Sequence, residues 1–297
     1  MSTPPFLVLP AGATAYALDT ARGTYAVHDA RPRTTAHGTA LLVPGFTGSK
    51  EDFIAILGPL AEAGFRVVAY DQRGQYESAG PEPAEGWTTQ AYAADLLAVA
   101  AALDAGPVHL LGHSFGGLVA RAAVLTDPSA FCSLVLLGSG PAAFDDARAD
   151  LLTQMAQGIE AIGLAGVRAI TRAMDLENGW QPHPDPAVDA FLDHRFLSND
   201  PTSLAAMARI LVHEPDRTGE LAACISGARG RLPTLIAFGE DDDAWSPKLQ
   251  AETASRLGVP TVSFPKAAHS PAAEMPSETA AALAAFWDQP PVVGSLP

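Results

Sequence analysis

The sequence predicts an α/β fold, with a mostly parallel central sheet, helices on both faces and a helical cap inserted after the sixth strand. Three observations predict it. From residue 39 onward, short apolar runs alternate with longer amphipathic stretches, which is the pattern of repeated strand–helix units. The segment Gly112-His-Ser-Phe-Gly116 sits where one apolar run ends and a helical pattern begins. Residues 141–228 then break the alternation with helical apolar spacing and no strand pattern.

Each element has its own signal. Residues before 39 suggest an antiparallel edge hairpin. Thr39-Ala-Leu-Leu-Val43 ends at Pro44-Gly45 and reads as a buried strand running into a loop. Lys50 to Ala63 reads as a helix stopped by Gly64. Arg66 to Tyr70 is a strand ending at Asp71, and Thr89 to Leu103 a helix with a threonine cap. Val108 to Leu111 is a strand, Phe115 to Leu125 a helix closed by Asp127-Pro128, and Phe131 to Leu137 a further strand. After the interruption, Pro233 to Phe238 and Val259 to Phe264 read as strands. Pro247 to Leu257 and Ser277 to Trp287 read as helices.

Within the interruption, Leu151, Leu152, Met155 and Ile159, then Val167, Ile170 and Met174, recur at helical intervals. A structureless loop of that length is uncommon in a compact domain, so the stretch is assigned as a helical cap. The expected organisation is a core of residues 1–140 and 229–297 with a cap at 141–228. The tail Pro290 to Pro297 is expected to be loose.

Composition excludes several function classes. The 297 residues carry 18 Lys+Arg and 33 Asp+Glu, a formal net charge of 18 − 33 = −15. Nucleic-acid backbones and anionic lipid are bound through Lys and Arg, so neither is an expected partner. Apolar residues make up 48% and charged residues 17%, enough to bury a large core. Two cysteines, Cys132 and Cys224, are too few for a disulfide framework and too far apart for a zinc knuckle. Cys132 lies in an apolar run and is expected to be a buried, inert thiol. No secretory signal and no membrane span are apparent, so a reducing, cytoplasmic setting is expected. No Cys/His cluster has metal spacing, and no cofactor is called for.

The residues around Ser114 carry the chemistry. A bare G-x-S-x-G match is common, but here a strand precedes it and a helix follows. Small residues are needed on both sides because the turn is strained, and the helix N-terminus points backbone N–H groups at any developing oxyanion. A serine nucleophile needs a base, and the base needs an acid to orient it, each placed just after a later strand. His269 is the only histidine beyond residue 213, and it follows the last strand. Glu240, Asp241, Asp242 and Asp243 follow the preceding one. Such an acidic run is often only a solvated turn, and one carboxylate from it suffices.

With these residues in place, the chain resembles the α/β-hydrolase family over essentially its whole length. The resemblance implies an acid in a Gly-x-x-Asp pattern after the strand, which falls on Asp242, with Asp243 as the alternative. It implies an oxyanion hole made by the backbone N–H groups of Phe115 and of Phe46. The family's His-Gly pair before the second donor is replaced here by Pro44-Gly45, and a backbone donor does not need that histidine. In Asp71-Gln-Arg-Gly-Gln-Tyr76-Glu-Ser78 the family often has glycine where Tyr76 stands, so its side chain is expected to intrude near the site. His113 is expected to be structural.

The implied activity is a serine hydrolase acting on a small-molecule, ester-like substrate, with the cap setting specificity. Phe144, Met155, Met174, Trp180, Phe191, Phe196 and Met207 are candidate pocket residues, or packing between cap and core. Thioesterase, amidase, C–C hydrolase, perhydrolase and hydroxynitrile lyase chemistry occur on the same fold, as do catalytically silent ligand binders.

Overall fold

A computed structural model describes residues 2–80, 82–179, 181–227 and 231–289. Among the described residues eight strands form one sheet: β1 (Ala13–Thr20), β2 (Gly23–Ala30), β3 (Gly38–Val43), β4 (Phe65–Tyr70), β5 (Val108–His113), β6 (Phe131–Leu137), β7 (Thr234–Gly239) and β8 (Thr261–Phe264). Their order is β1-β2-β4-β3-β5-β6-β7-β8. β1 and β2 form the expected edge hairpin, and β2 joins β4 antiparallel. From β4 to β8 every pairing is parallel.

Period-two alternation sorts each central strand between two cores. Leu41, Val68, Leu110, Leu134 and Ile236 face one, together with α2 (Thr89–Ala102), α3 (Phe115–Thr126), α7 (Thr218–Ile225) and α8 (Pro247–Leu257). Leu42, Val67, Leu111, Val135 and Leu235 face the other, with α1 (Ile54–Glu62), α9 (Pro271–Glu274) and α10 (Pro276–Trp287). A helix is expected from Lys50, but the first turn, Lys50–Phe53, is a 3₁₀ turn. There the backbone N–H of Lys50 donates to Asp71 at 2.7 Å.

Between β6 and β7 the described residues are mostly helical. They form α4 (Ala147–Glu177), α5 (Pro186–Leu197), α6 (Pro201–His213) and α7. α4 bends at Gly163, whose φ of 71° is left-handed. Ile159 and Val167 of α4, Phe196 of α5 and Leu204 of α6 share a third, smaller core. Buried ion pairs tie these helices to the elements around the sheet. Arg195 of α5 donates to Asp52 at 2.6 Å, and Arg121 of α3 donates to Glu214 at 2.7 Å.

Cys132 departs from expectation. It is exposed rather than buried, at the second position of β6, while the five residues that follow it are buried. The expectation for Pro290 to Pro297 lies outside the described residues. Among the described residues no helix is long and apolar enough to cross a membrane.

Candidate active site

Chain order reverses at β3, which pairs with both β4 and β5, and the carboxyl ends of parallel strands meet a crevice at such a point. β5 ends at His113, and Ser114 follows with φ 54° and ψ −122°, a left-handed conformation unusual for a non-glycine residue. The neighbouring glycines permit it. A Cβ on Gly112 would stand 2.3 Å from the Gly116 carbonyl oxygen, and one on Gly116 would stand 2.4 Å from that of Val43. The turn is held by Ser114 N–H donating to Leu137 and by Ser139 Oγ donating to Ser114 O at 2.9 Å.

The other two side chains arrive from β7 and β8. The ends of these strands are laced together: Asp241 N–H donates to Ala267 O at 3.0 Å, and a Cβ on Gly239 would overlap the Ala268 carbonyl. His269 Nε2 lies 2.9 Å from Ser114 Oγ, and its Nδ1 lies 3.0 Å from Asp242 Oδ1. Within the acidic run only Asp242 is buried, whereas Glu240, Asp241 and Asp243 are exposed. Asp242 Oδ1 also accepts from Ala244 N–H at 2.9 Å, and Oδ2 accepts from Gln250 Nε2 at 2.8 Å.

His113 Nε2 donates to the His269 carbonyl at 2.8 Å, which fixes its tautomer. Burial first, and then the adjacent His269, push its pKa down to about 3, so it stays neutral. The bond ties the His113 ring to the backbone of His269, and His113 also lines the cavity at Ser114. Glu274 accepts from Ser270 N–H at 2.9 Å and also from Ala268 N–H, so it brackets His269 from both sides.

Phe115 opens α3 directly after Ser114, and Phe46 follows the end of β3. The two segments touch: a Cβ on Gly45 would stand 3.0 Å from Ser114 Cβ. Ser114 opens onto a cavity of about 270 Å³. Its walls are mostly apolar, formed by Phe46, Phe144, Leu151, Leu152, Leu211 and Ala244, with Arg148 also lining it.

Most candidate pocket residues do something else. Phe144 lines the cavity and stacks on Trp245 at 4.3 Å. Met207 and Phe196 are buried in the cores, Met155 packs against the smaller one, and Met174 is 47% exposed. Phe191 packs edge-on against Tyr76 at 5.6 Å. Trp180 lies outside the described residues. Tyr76 itself does not line the cavity. Its φ of 39° is left-handed, which accounts for a glycine preference, and its ring packs against Phe191, His194 and the Lys50 ammonium.

Nothing in the sequence marks Gln250 or Glu274 as supports of the site, or Arg148, Leu151 and Leu152 as cavity residues. Apolar residues recur along α4, and only its packing shows which of them line the cavity. Among the described residues no group of three or more His, Cys, Asp or Glu is placed to hold a metal ion.

Residues 40–274 match the family model for the alpha/beta hydrolase fold. The chain belongs to the alpha/beta hydrolase family. This hydrolase is 34% identical over 223 residues to the RutD protein of Variovorax paradoxus, whose name assigns it provisionally to carbamate hydrolysis. That match covers 69% of this chain and 76% of the relative. It is 29% identical over 216 residues to a 2-hydroxy-6-oxononadienedioate/2-hydroxy-6-oxononatrienedioate hydrolase of Paraburkholderia xenovorans, covering 69% and 68% of the two chains. Among solved structures, a thermophilic esterase from Thermogutta terrifontis superposes with a TM-score of 0.73 at 24% identity, over 93% of this chain and 98% of that one. At that identity the likeness is one of fold.

Proposed function

We propose that this alpha/beta hydrolase is a serine hydrolase that cleaves a small or medium uncharged carboxylic ester or lactone through an acyl-enzyme on Ser114. The observation that carries the reading is the hydrogen-bonded run from Ser114 Oγ through His269 to Asp242, at 2.9 and 3.0 Å, opening on an apolar cavity. The catalytic residues are Ser114, His269 and Asp242, and the oxyanion donors are the N–H groups of Phe46 and Phe115.

Ser114 Oγ attacks the carbonyl carbon as His269 Nε2 takes its proton. Asp242 holds Nδ1–H and stabilises the imidazolium. Charge on the former carbonyl oxygen is met by the two backbone donors. The intermediate collapses, and His269 returns the proton to the departing alkoxide. Water then attacks the acyl-enzyme with His269 as base, which releases the acid and restores Ser114.

The helical stretch at 141–228 is read as a cap on a core of residues 1–140 and 229–297, because Phe144, Leu151, Leu152 and Leu211 supply the cavity wall from it. A cytoplasmic setting fits the two unpaired cysteines.

The test is a panel of p-nitrophenyl acetate, butyrate, octanoate and palmitate beside a lactone, a thioester and an aryl carbamate. The short and middle esters or the lactone should turn over fastest, and a Ser114→Ala variant should be inactive on all of them. Equal turnover by wild type and Ser114→Ala overturns the reading. Preference for the carbamate keeps the serine mechanism and changes the substrate class.

A further inference from the structure

Gln75 lies in the turn after β4, has no solvent exposure, and belongs to no catalytic run. Its Nε2 donates to the carbonyl oxygen of Gly45 at 2.8 Å. That oxygen and the N–H of Phe46 belong to one peptide unit. The unit is planar and trans, so its C=O and N–H point in opposite directions. Fixing Gly45 O on one side therefore fixes the direction of Phe46 N–H on the other.

The peptide needs such a fix. β3 stops at Val43, so no strand ladder holds the residues that follow. Gly45 has no Cβ to restrict its ψ, and Thr47 is left-handed at φ 57°. A second bond, from Gly48 N–H at 3.1 Å, comes from within the same loop and moves with it. Gln75 is an anchor from a different strand end.

The amide of Gln75 can sit only one way. Its Oε1 accepts from Gln72 N–H at 3.2 Å, and its Nε2 has Gly45 O on one side and Met207 Sδ at 3.8 Å on the other. A flip would set oxygen against oxygen and N–H against N–H around a side chain with no solvent exposure. Gln72 makes a parallel bond to Pro44 O at 2.9 Å, one peptide earlier. That peptide carries the N–H of Gly45, which is not an oxyanion donor.

We infer that Gln75 is a positioning residue that aims the Phe46 N–H into the oxyanion hole. The inference rests on the reading of Ser114 as the nucleophile. It goes beyond that reading by naming a buried side chain that tunes transition-state stabilisation without touching substrate.

The experiment compares wild type, Gln75→Leu and Gln72→Leu on an ester and on its thionoester, in which sulfur replaces the carbonyl oxygen. An oxyanion hole built for oxygen favours the ester, so the ratio of kcat/KM values reports its geometry. Gln75→Leu should lower kcat on the ester about ten- to a hundredfold, short of losing a donor outright, with KM little changed. Its ester-to-thionoester ratio should fall by about the same factor, while Gln72→Leu keeps the wild-type ratio. A folded Gln75→Leu protein with the wild-type ratio overturns the inference.

A crystal structure of the wild type with a phosphonate on Ser114 tests it without any substitution. The phosphoryl oxygen should accept from Phe46 and Phe115 with Gln75 still on Gly45 O. A Gly45–Phe46 peptide turned with its carbonyl toward the phosphonate overturns it. A wild type that neither hydrolyses esters nor reacts at Ser114 removes the serine-hydrolase reading itself, and this inference falls with it.

Discussion

Gln250 donates its side-chain amide to Asp242 at 2.8 Å, on the carboxylate oxygen opposite the one that meets His269. Gln250 is fully buried and its Nε2 also donates to Trp245 O at 2.7 Å, so the acid is held from behind by a side chain with little freedom. Gln250→Leu should lower kcat by on the order of ten- to a hundredfold through misaimed His269, with ester KM little changed. Steady-state kinetics on one ester checks this. A wild-type kcat in a folded variant would show that Asp242 needs no such support.

Asp242 and Asp243 are adjacent in sequence but differ in surroundings. Asp242 is buried and bonded to His269, and Asp243 is exposed. Asp242→Asn should cost about 10⁴ in kcat, because the amide favours the wrong imidazole tautomer. Asp243→Asn should stay within about twofold of wild type. The reverse pattern would move the acid to Asp243.

Much of the fold is legible in the sequence because it is local. Phe131 to Leu137 and Pro247 to Leu257 have the expected bounds, since an apolar run and a Ser-Pro helix start define them without reference to the rest of the chain. The strand–serine–helix turn is equally local. The cavity wall is not, because Leu151 and Leu152 join the cavity at Ser114 only once α4 has packed on α6. Tyr76 turns away from the site because Phe191 and His194, more than a hundred residues later, offer it aromatic edges. Gln75 and Gln250 read as ordinary polar residues until their bonding partners are placed.

The ion pair between Arg195 and Asp52 joins α5 to the turn that follows the Phe46 loop, and neither side chain has more than 2% exposure. Arg195 also donates to Ser2 O at 2.7 Å. Arg195→Met leaves a buried carboxylate without its cation, which costs about 3–5 kcal/mol. Urea unfolding should show a lower midpoint with an unchanged slope. The double variant Asp52→Leu/Arg195→Met should recover a large part of the loss, and failure to recover would place the cost in packing instead.

Three histidines should make this protein lose stability in acid. Burial pushes His28 and His109 down to about 4 and His113 down to about 3, from an ordinary value of 6.5. Below pH 6.5 the unfolded chain binds protons that the folded one refuses. Their contribution to stability is therefore complete above about pH 6.5 and is lost progressively as pH falls toward 3–4. Each such histidine contributes about 2 kcal/mol of loss by pH 5. Thermal unfolding across this range should show a steep fall in wild type and a shallower one in His113→Gln. Equal slopes would remove His113 from the account.

The most direct test is peptide mapping after reaction with a fluorophosphonate probe. One adduct on Ser114, absent in Ser114→Ala and slowed in a His269 variant, is the predicted result. A folded wild-type protein that stays unlabelled, or that carries the adduct on another residue, would contradict the assignment of Ser114 as nucleophile.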